Sequence, residues 1–162
     1  MLSSHTNRAP DIIFSSDASG AWGCGAVWQY HWFHFQWSPS WAGINIAIKE
    51  LVPVVLAVAV WGDKWAHKHV LVQCDNMAGV ACIHSQSSNI PTIMHLLRTL
   101  HFITAFFDNN LTACHLPGEV NILADALSSP PQHSKCTPQP SRPIGSSTPA
   151  SNSHPYRPPK TN

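Results

Sequence analysis

Four carboxylates in this chain, Asp17, Glu50, Asp75 and Asp125, stand where an acid is costly unless it has a chemical role. The chain holds only 8 acidic residues among 162, so these four positions take half of its acids. Asp17 and Asp75 end apolar runs of strand character, and Glu50 precedes the apolar segment LVPVVLAVAVW. Carboxylates at the edge of an apolar core repel one another and lose hydration unless a cation joins them. The pattern therefore predicts a divalent-metal site.

The ligand chemistry of these residues indicates which metal the site would take. Four carboxylates with no cysteine nearby favour a hard cation such as Mg²⁺ or Mn²⁺. Two such ions, about 3.5–4 Å apart, stabilise both the attacking and the leaving oxygen in phosphodiester hydrolysis. Taken alone, any one of these acids is equally well explained as a residue of a solvated turn or of a helix cap. The hypothesis therefore depends on the four acids together.

Nine predicted elements must position these acids, in the order β-β-β-α-β-α-α-β-α. Short apolar or alternating runs predict strands at residues 11–17, 23–28, 30–37, 69–75 and 111–115. Longer apolar patterns predict helices at residues 44–65, 76–84, 91–108 and 121–128.

Local signals predict where several of these elements begin and end. Asn45 is the expected N-cap of the first helix, and Asn89 is the expected cap of the third helix, which has Pro91 in its first turn. Pro53 removes a backbone hydrogen bond inside the first helix, so we expect a kink or a later start. Gln29–Tyr30 is expected at a hairpin turn between the second and third strands.

This order predicts an α/β fold with a five-stranded mixed sheet, three antiparallel strands and then parallel strands, flanked by helices. If the first and fourth strands are neighbours, Asp17 and Asp75 lie side by side at one edge of the sheet. Glu50 lies early in the first helix and can reach the same edge. Asp125 is expected to arrive there on the last helix.

Composition divides the chain into a predicted folded domain at residues 11–128 and a tail at residues 129–162. The tail has nine prolines and seven serines in 34 residues, and it cannot bury enough apolar surface to offset its ordering entropy. The tail holds four of the 9 Lys and Arg residues and no acidic residue. The first 128 residues hold the other five Lys and Arg residues and all 8 acidic residues. We expect a disordered basic tail, compatible with a nucleic-acid partner.

Cysteine usage and hydropathy limit the cellular compartments that the sequence is compatible with. The five cysteines are odd in number and form no CxxC pair, so neither a disulfide framework nor a zinc knuckle is indicated. The first ten residues lack the apolar stretch of a signal peptide, and the apolar run at Leu51–Trp61 is too short to span a bilayer. We expect an intracellular protein of the cytoplasm or nucleus, neither secreted nor membrane-bound.

Four segments, read in order, resemble one family. They are SDASGAWGCGAVW, IKELVPVVLAV, VLVQCDN and HLPGEVNILADALS, and they carry the four acids. The chain resembles the type 1 ribonuclease H domain of retrotransposon polyproteins of the gypsy and DIRS kinds, from about residue 12 to residue 128. The most specific segment is the last, which resembles the signature His-x-Pro-Gly-x-x-Asn-x-x-Ala-Asp-x-Leu-Ser of these elements.

The resemblance implies a ribonuclease H-like fold and a metal-dependent endonuclease that hydrolyses the RNA strand of RNA–DNA hybrids. It implies that Asp17, Glu50, Asp75 and Asp125 hold two Mg²⁺ ions, and that the products carry a 5′-phosphate and a 3′-hydroxyl. His115 falls at the family's mobile histidine, which assists proton transfer or product release.

The resemblance also implies partners and contact residues. Such enzymes recognise the minor groove of a hybrid by its 2′-hydroxyls and by the shape of the DNA strand. Ser19, Asn45 and Asn76 lie near positions that touch nucleic acid in relatives. Met77 stands where many relatives carry a hydrogen-bonding Gln, and Ser129 where they carry Arg. A reverse transcriptase domain, absent from this chain, is a further expected partner.

Two other functions stay open from the sequence. One is a catalytically silent ribonuclease H-like remnant of a retroelement, retained for structure or binding. The other is an integrase- or transposase-type protein of the same superfold, although the segment from His115 to Asp125 argues against it. All seven tryptophans lie between Trp22 and Trp65, and we expect them in the core and on the sheet. Trp22 or Trp41 flanking a hybrid groove is the open alternative.

Overall fold

The computed structural model describes residues 9–131, and its elements follow the predicted order. The predicted tail lies outside the described residues apart from its first three. The strands are β1 (Ile12–Ala18), β2 (Gly23–Trp28), β3 (His31–Gln36), β4 (His69–Cys74) and β5 (Asn110–His115). The helices are α1 (Ile46–Trp61), α2 (Met77–Ser85), α3 (Pro91–Phe106) and α4 (Ile122–Ser128), with a short 3-10 turn at Pro39–Trp41.

The five strands form one mixed sheet in the order β3-β2-β1-β4-β5, which confirms the predicted fold class. β1 pairs antiparallel with β2, and β2 with β3. β4 lies parallel to both β1 and β5. The β2–β3 hairpin turns at Gln29–Tyr30, as predicted, because Trp28 pairs with His31. Gln29 adopts a φ of 53°, the positive value that such a tight turn requires.

Helix α1 begins at the predicted cap and passes through its proline. The side chain of Asn45 accepts a hydrogen bond from the backbone N–H of Ala47 at 2.8 Å. Pro53 lies inside the helix and is buried, so the later start that it suggested is wrong. The helix is shorter than predicted at both ends, because Ile44 precedes the cap and the residues after Trp61 form turns.

The predicted N-cap of α3 is wrong. Ile90, and not Asn89, occupies the N-cap position, with no side-chain capping bond. Pro91 takes the first helical position, where its missing N–H costs nothing. The hydroxyl of Ser88 instead accepts a hydrogen bond from the N–H of Ile90 at 3.2 Å, so a serine two residues earlier stabilises the entry to the helix.

The main core lies between the sheet and helix α1, and tryptophans fill much of it. Trp65 is fully buried and stacks on Phe14 of β1 with ring centroids 5.0 Å apart. Trp28 and Trp61 pack against the same ring system. Most of these tryptophans therefore serve the core, as expected, but Trp32 on the edge strand β3 is 62% exposed.

The opposite face of the sheet receives α4, which approaches very closely. A Cβ on Gly25 of β2 would lie 2.4 Å from the Cβ of Leu127 and 3.1 Å from the carbonyl oxygen of Phe33. Only a glycine allows the helix to sit this near the strand, because any side chain would meet Leu127. Gly25 also pairs with Asp17, so the close approach brings α4 to the predicted site.

Within residues 9–131, no helix combines the length and the apolar character that crossing a bilayer requires.

Candidate metal centre

The sheet topology brings Asp17 and Asp75 to one edge. Asp17 is the last residue but one of β1, and Asp75 directly follows the last residue of β4, Cys74. Because β1 and β4 are parallel neighbours, both carboxylates emerge where the strands end. Asp17 is buried and Asp75 is half-buried. The predicted adjacency of the two strands, on which the site hypothesis depended, is therefore present.

Helix α1 supplies the third carboxylate. Glu50 lies in the first half of α1 and is 7% exposed. Its carboxyl group accepts a hydrogen bond from the backbone N–H of Ala18, the last residue of β1. One carboxylate oxygen from each of Asp17, Glu50 and Asp75 lies within 4.8 Å of the others. Three acids that are distant in the sequence thus form one cluster.

The surroundings of this cluster disfavour ionisation of the carboxyl groups of Glu50 and Asp17. Burial, with repulsion from Asp17 and Asp75, raises the pKa of Glu50 to about 8. Burial also raises the pKa of Asp17, and the charges of Asp75 and Asp125 add to that rise. The Oε2 atom of Glu50 is buried and has no hydrogen-bond partner. A buried acceptor of this kind costs free energy unless something supplies a donor or a positive charge.

The residues present fit a hard divalent cation. The three oxygens are close enough for a single ion to contact all of them, and Glu50, which carries the orphaned Oε2 atom, is one of the three residues. A cation bound there would remove the mutual repulsion that raises the pKa values of Asp17 and Glu50.

Two cysteines stand close to this cluster, contrary to the expectation that none would. Cys24 on β2 and Cys74 on β4 are buried, and burial together with the charge of Glu50 raises the pKa of each thiol to about 12. Cys74 directly precedes Asp75 in the sequence, whereas Cys24 comes near Glu50 only through folding. Among the described residues, the group of ligand atoms that lie within 4.8 Å of one another includes neither thiol.

The fourth predicted acid stands apart from the other three. Asp125 lies on α4 with an exposed side chain, and among the described acids it is outside the group of three. Its charge nevertheless reaches Asp17 and raises the pKa of that residue. Asp125 therefore borders the cluster from the side of α4.

Ser128 links the same helix directly to the cluster. Its hydroxyl donates a hydrogen bond to Oδ2 of Asp17, and this bond lowers the pKa of Asp17 against the effect of burial. Ser128 is itself buried, at the last position of α4. Reasoning from the sequence did not single out this serine, although it is part of the motif that ends in ALS.

His115 ends β5 at the rim of the cluster. It lies opposite Cys74 in the parallel ladder, one residue before Asp75, and its side chain is exposed. The backbone N–H of the next residue, Leu116, donates to the carbonyl of Cys74 at 2.9 Å and extends the ladder. His115 therefore stands beside the acids with a ring that solvent reaches.

Two further residues of the segment after β5 contact β1 and Asp75, and reasoning from the sequence assigned them no role. The side chain of Asn121 is buried and donates from Nδ2 to the carbonyl of Ser16 on β1 at 3.1 Å. A Cβ on Gly118 would lie 3.2 Å from Oδ2 of Asp75, so the bare backbone there permits the loop to pass the carboxylate. Both belong to the segment HLPGEVN, and its His-x-Pro-Gly-x-x-Asn pattern was the signal available in the sequence.

The three predicted nucleic-acid contacts serve first as local caps. The hydroxyl of Ser19 accepts hydrogen bonds from the N–H groups of Trp22 and Gly23, at 2.8 and 3.0 Å, in the turn after β1. Asn45 caps α1, and Asn76 caps α2 by accepting from the N–H of Gly79 at 3.0 Å. These bonds use side-chain oxygens, so the amide NH₂ groups of the two asparagines are the donors left for a ligand.

Comparison with known proteins gives no sequence match but a clear structural one. No protein-family model and no curated protein matches the sequence. RNase H1 from the halophilic archaeon Halobacterium salinarum is similar in structure, with a TM-score of 0.54 at 14% identity over 71% of this chain and 90% of that one. The chain has the ribonuclease H-like fold.

Two other solved structures share this ribonuclease H-like fold. LC11-RNase H1, solved in complex with an RNA/DNA hybrid, has a TM-score of 0.53 at 22% identity over 72% of this chain and 92% of that one. The foamy viral protease-reverse transcriptase, solved in complex with dsDNA, has a TM-score of 0.55 at 15% identity over 73% and 91%. At identities this low, the likeness describes the fold alone.

Proposed function

We propose that this chain is a metal-dependent endonuclease that hydrolyses the RNA strand of RNA–DNA hybrids. The observation that carries the proposal is the cluster of Asp17, Glu50 and Asp75, which is largely buried and has an orphaned carboxylate oxygen. A protein with no use for a cation has no physical reason to retain three mutually repelling acids around such an atom. This reasoning also separates the proposal from the catalytically silent alternative.

The chain's own residues would divide the work as follows. Asp17, Glu50 and Asp75 would hold Mg²⁺ or Mn²⁺, and Asp125 would complete the set for a second ion from the side of α4. Bound there, the metal would supply Lewis-acid stabilisation of charge on the phosphate oxygens. Ser128 keeps Asp17 oriented and lowers its pKa, which favours the ionised ligand. His115, exposed at the rim, would take or pass a proton as the phosphodiester bond breaks.

The substrate and the origin of the chain are also proposals. A hybrid would lie over the strand ends and contact the protein through its minor groove. Asn45 and Asn76 would meet it through their amide NH₂ groups, and Ser19 through the turn that it stabilises. Support comes from LC11-RNase H1, which was solved with an RNA/DNA hybrid. The motifs further suggest descent from a gypsy- or DIRS-type retroelement, in which a reverse transcriptase domain would be the partner.

A hybrid-cleavage assay tests the activity. With Mg²⁺, we expect the full chain to cut the RNA strand of a hybrid and to leave duplex DNA intact, whereas Ca²⁺ or EDTA should suppress cleavage. Asp75→Asn should reduce the rate by at least about 100-fold, because a neutral amide is a poor ligand for a hard cation. Asp108→Asn is the matched control, since Asp108 is exposed and pairs with His67 at 3.0 Å.

Each other outcome identifies an alternative. Folded protein that binds a hybrid tightly in Mg²⁺ without cutting it would support the silent remnant. Transfer of a DNA end to another strand would support an integrase-type protein. Equal activity of Asp75→Asn and the unmodified chain would show that the cluster is not the catalytic centre.

A further inference from the structure

A stack of one cation and two aromatic rings lies beside the candidate metal centre. The Trp37 and Trp41 rings are stacked with centroids 4.6 Å apart and planes 19° from parallel. The ammonium group of Lys49 lies 5.8 Å from the ring centroid of Trp37, within the range of a cation–π interaction. Lys49 is the residue before Glu50 on α1, so this stack and the acid cluster share one turn of helix.

The order of the stack leaves one end open. Trp37 is 8% exposed, whereas Trp41 is half-buried in the short turn before α1. Trp37 is held in place because its indole N–H donates to the carbonyl of Ser19 at 2.8 Å. The inner ring is thus fixed by the turn after β1, while Trp41 presents part of its ring to solvent.

A groove of about 580 Å³ runs along this stack. The turn after β1 forms one wall with Gly20, and the segment from β3 to α1 forms the other with Ser38 and Trp41. Lys49 is the charged side chain among the described residues that line it. It is 3% exposed, and its Nζ donates to the carbonyl of Gly20 at 2.5 Å, a bond that uses one of its three N–H donors.

Part of this arrangement is needed for packing. Trp37 belongs to a small core with Ala18 and Cys24, and Trp41 packs against it. Lys49 has one hydrogen bond to Gly20 and a ring contact with Trp37, and these offset only part of the cost of burying a charge. No carboxylate pairs with this ammonium among the described ion pairs. A buried, positively charged groove wall beneath an open aromatic stack points to an anionic ligand with a ring.

We propose that this groove binds an unpaired nucleotide of a nucleic-acid strand that continues beyond the paired segment at the metal centre. The base would stack on the exposed part of the Trp41 ring, and a phosphate farther along the same strand would meet Lys49. The inference rests on the proposed function, because it extends the same nucleic-acid surface away from Asp17 and Glu50. It assigns a preference for substrates with a single-stranded flank.

The chemistry selects an unpaired nucleotide over a paired one. In a duplex, the faces of the bases are covered by their neighbours, so a tryptophan can stack only on a base that is free. Stacking tolerates any base, because each has a π-face, whereas the groove walls offer few side-chain groups for reading a base edge. The groove should therefore accept RNA and DNA flanks of any sequence.

Binding to labelled single strands tests the site without any cleavage. In EDTA, fluorescence anisotropy with fluorescein-labelled oligothymidylate and oligouridylate should show saturable binding to the full chain. Trp41→Ala should weaken this binding roughly 5- to 100-fold, which is the usual loss for one stacked base. Trp41→Phe should keep most of it, because the ring is retained. Trp32→Ala is the matched control, since Trp32 is exposed on β3.

A second variant tests the phosphate contact. Lys49→Met keeps the length of the side chain and removes its charge. We expect it to weaken single-strand binding and to lower the slope of log K against log salt by about 0.7, the contribution of one phosphate on a single strand. A slope equal to that of the unmodified chain would overturn the assignment of Lys49.

The outcomes separate this inference from the proposed activity. With Mg²⁺, hybrids with a single-stranded flank should be cut with a lower KM than blunt hybrids, and Trp41→Ala should abolish that difference. Cleavage with no flank preference and no single-strand binding would overturn the groove and leave the nuclease intact. Single-strand binding that depends on Trp41 without any cleavage would support the groove and contradict the nuclease.

Discussion

Glu50 shows how one buried acid can govern the stability of this protein. Its carboxyl group titrates near 4.5 in an unfolded chain, and the fold raises its pKa to about 8. Between these values the unfolded chain is ionised at this position while the folded chain retains a proton. Unfolding then releases a proton, so the free energy of unfolding falls as the pH rises through this window. Keeping Glu50 ionised above it costs on the order of a few kcal/mol.

The first prediction follows from this decrease in the free energy of unfolding with rising pH. In EDTA, the free energy of unfolding should decrease between about pH 4.5 and pH 8, and Glu50→Gln should flatten much of this decrease because the amide does not titrate. Urea unfolding at several pH values measures it. An unchanged pH dependence in Glu50→Gln would contradict the electrostatic account of the cluster.

Ser128 carries the second prediction at this scale. Its hydroxyl donates to Asp17 and lowers the pKa of that acid, so Ser128→Ala should leave the carboxylate less well satisfied. We expect a loss of about 1–3 kcal/mol in the free energy of unfolding and about 10-fold weaker Mg²⁺ binding. Urea unfolding and titration calorimetry check these values, with Ser129→Ala as the control. Equal Mg²⁺ affinity in the two variants would show that Ser128 has no part in the centre.

At the scale of elements, the position of the last helix, α4, decides whether Asp125 and Ser128 stand beside Asp17. α4 is only 7 residues long, and three contacts fix it: Gly25 against Leu127, Asn121 to Ser16, and Ser128 to Asp17. Each contact joins α4 or its entry to β1 or β2. The position of Asp125 beside the cluster therefore depends on packing against the sheet.

The third prediction uses that close approach. Gly25→Ala would place a Cβ 2.4 Å from Leu127, so α4 must move away. We expect a loss of about 1–3 kcal/mol of stability from overpacking, with a fall in hybrid cleavage as Asp125 and Ser128 leave Asp17. Gly79→Ala is the control, because a Cβ there would lie 4.0 Å from the side chain of Asn76, an ordinary van der Waals contact. It should instead gain up to about 1 kcal/mol from helix propensity.

At the scale of the whole molecule, the metal and the fold should stabilise each other. The three clustered acids come from β1, α1 and the end of β4, so an ion held by all three would join the sheet to its covering helix. An unfolded chain does not keep these oxygens together, and such an ion would therefore bind the folded state selectively.

The fourth prediction follows from that selectivity. At a Mg²⁺ concentration about 100 times the Kd, the folded state should gain about 2.7 kcal/mol, which raises the Tm by several degrees for a domain of this size. NaCl at the same ionic strength should have little effect, and Asp75→Asn should lose the response to Mg²⁺. Differential scanning calorimetry measures all three. The same Tm in Mg²⁺ and NaCl would contradict a metal centre.

Much of the architecture was predictable from the sequence, because hydrophobic periodicity, turns and caps are local properties. The order of the elements, the mixed sheet, the hairpin at Gln29–Tyr30 and the Asn45 cap all agree with the structure. The acids at the ends of β1 and β4 were visible for the same reason. Asn89 failed as a cap because the backbone places the apolar Ile90 at the N-cap position, which its residue type does not signal.

Tertiary structure alone decided how the acids meet and what surrounds them. The bond from Asn121 to Ser16 joins residues 105 positions apart, and nothing in the local sequence announces it. Long-range packing, which hydrophobic periodicity does not record, left Asp125 outside the group of three and placed buried thiols near Glu50. The sequence by itself determined which carboxylates the chain offers and which elements carry them. Only long-range packing determined their distances, their burial and therefore their charge.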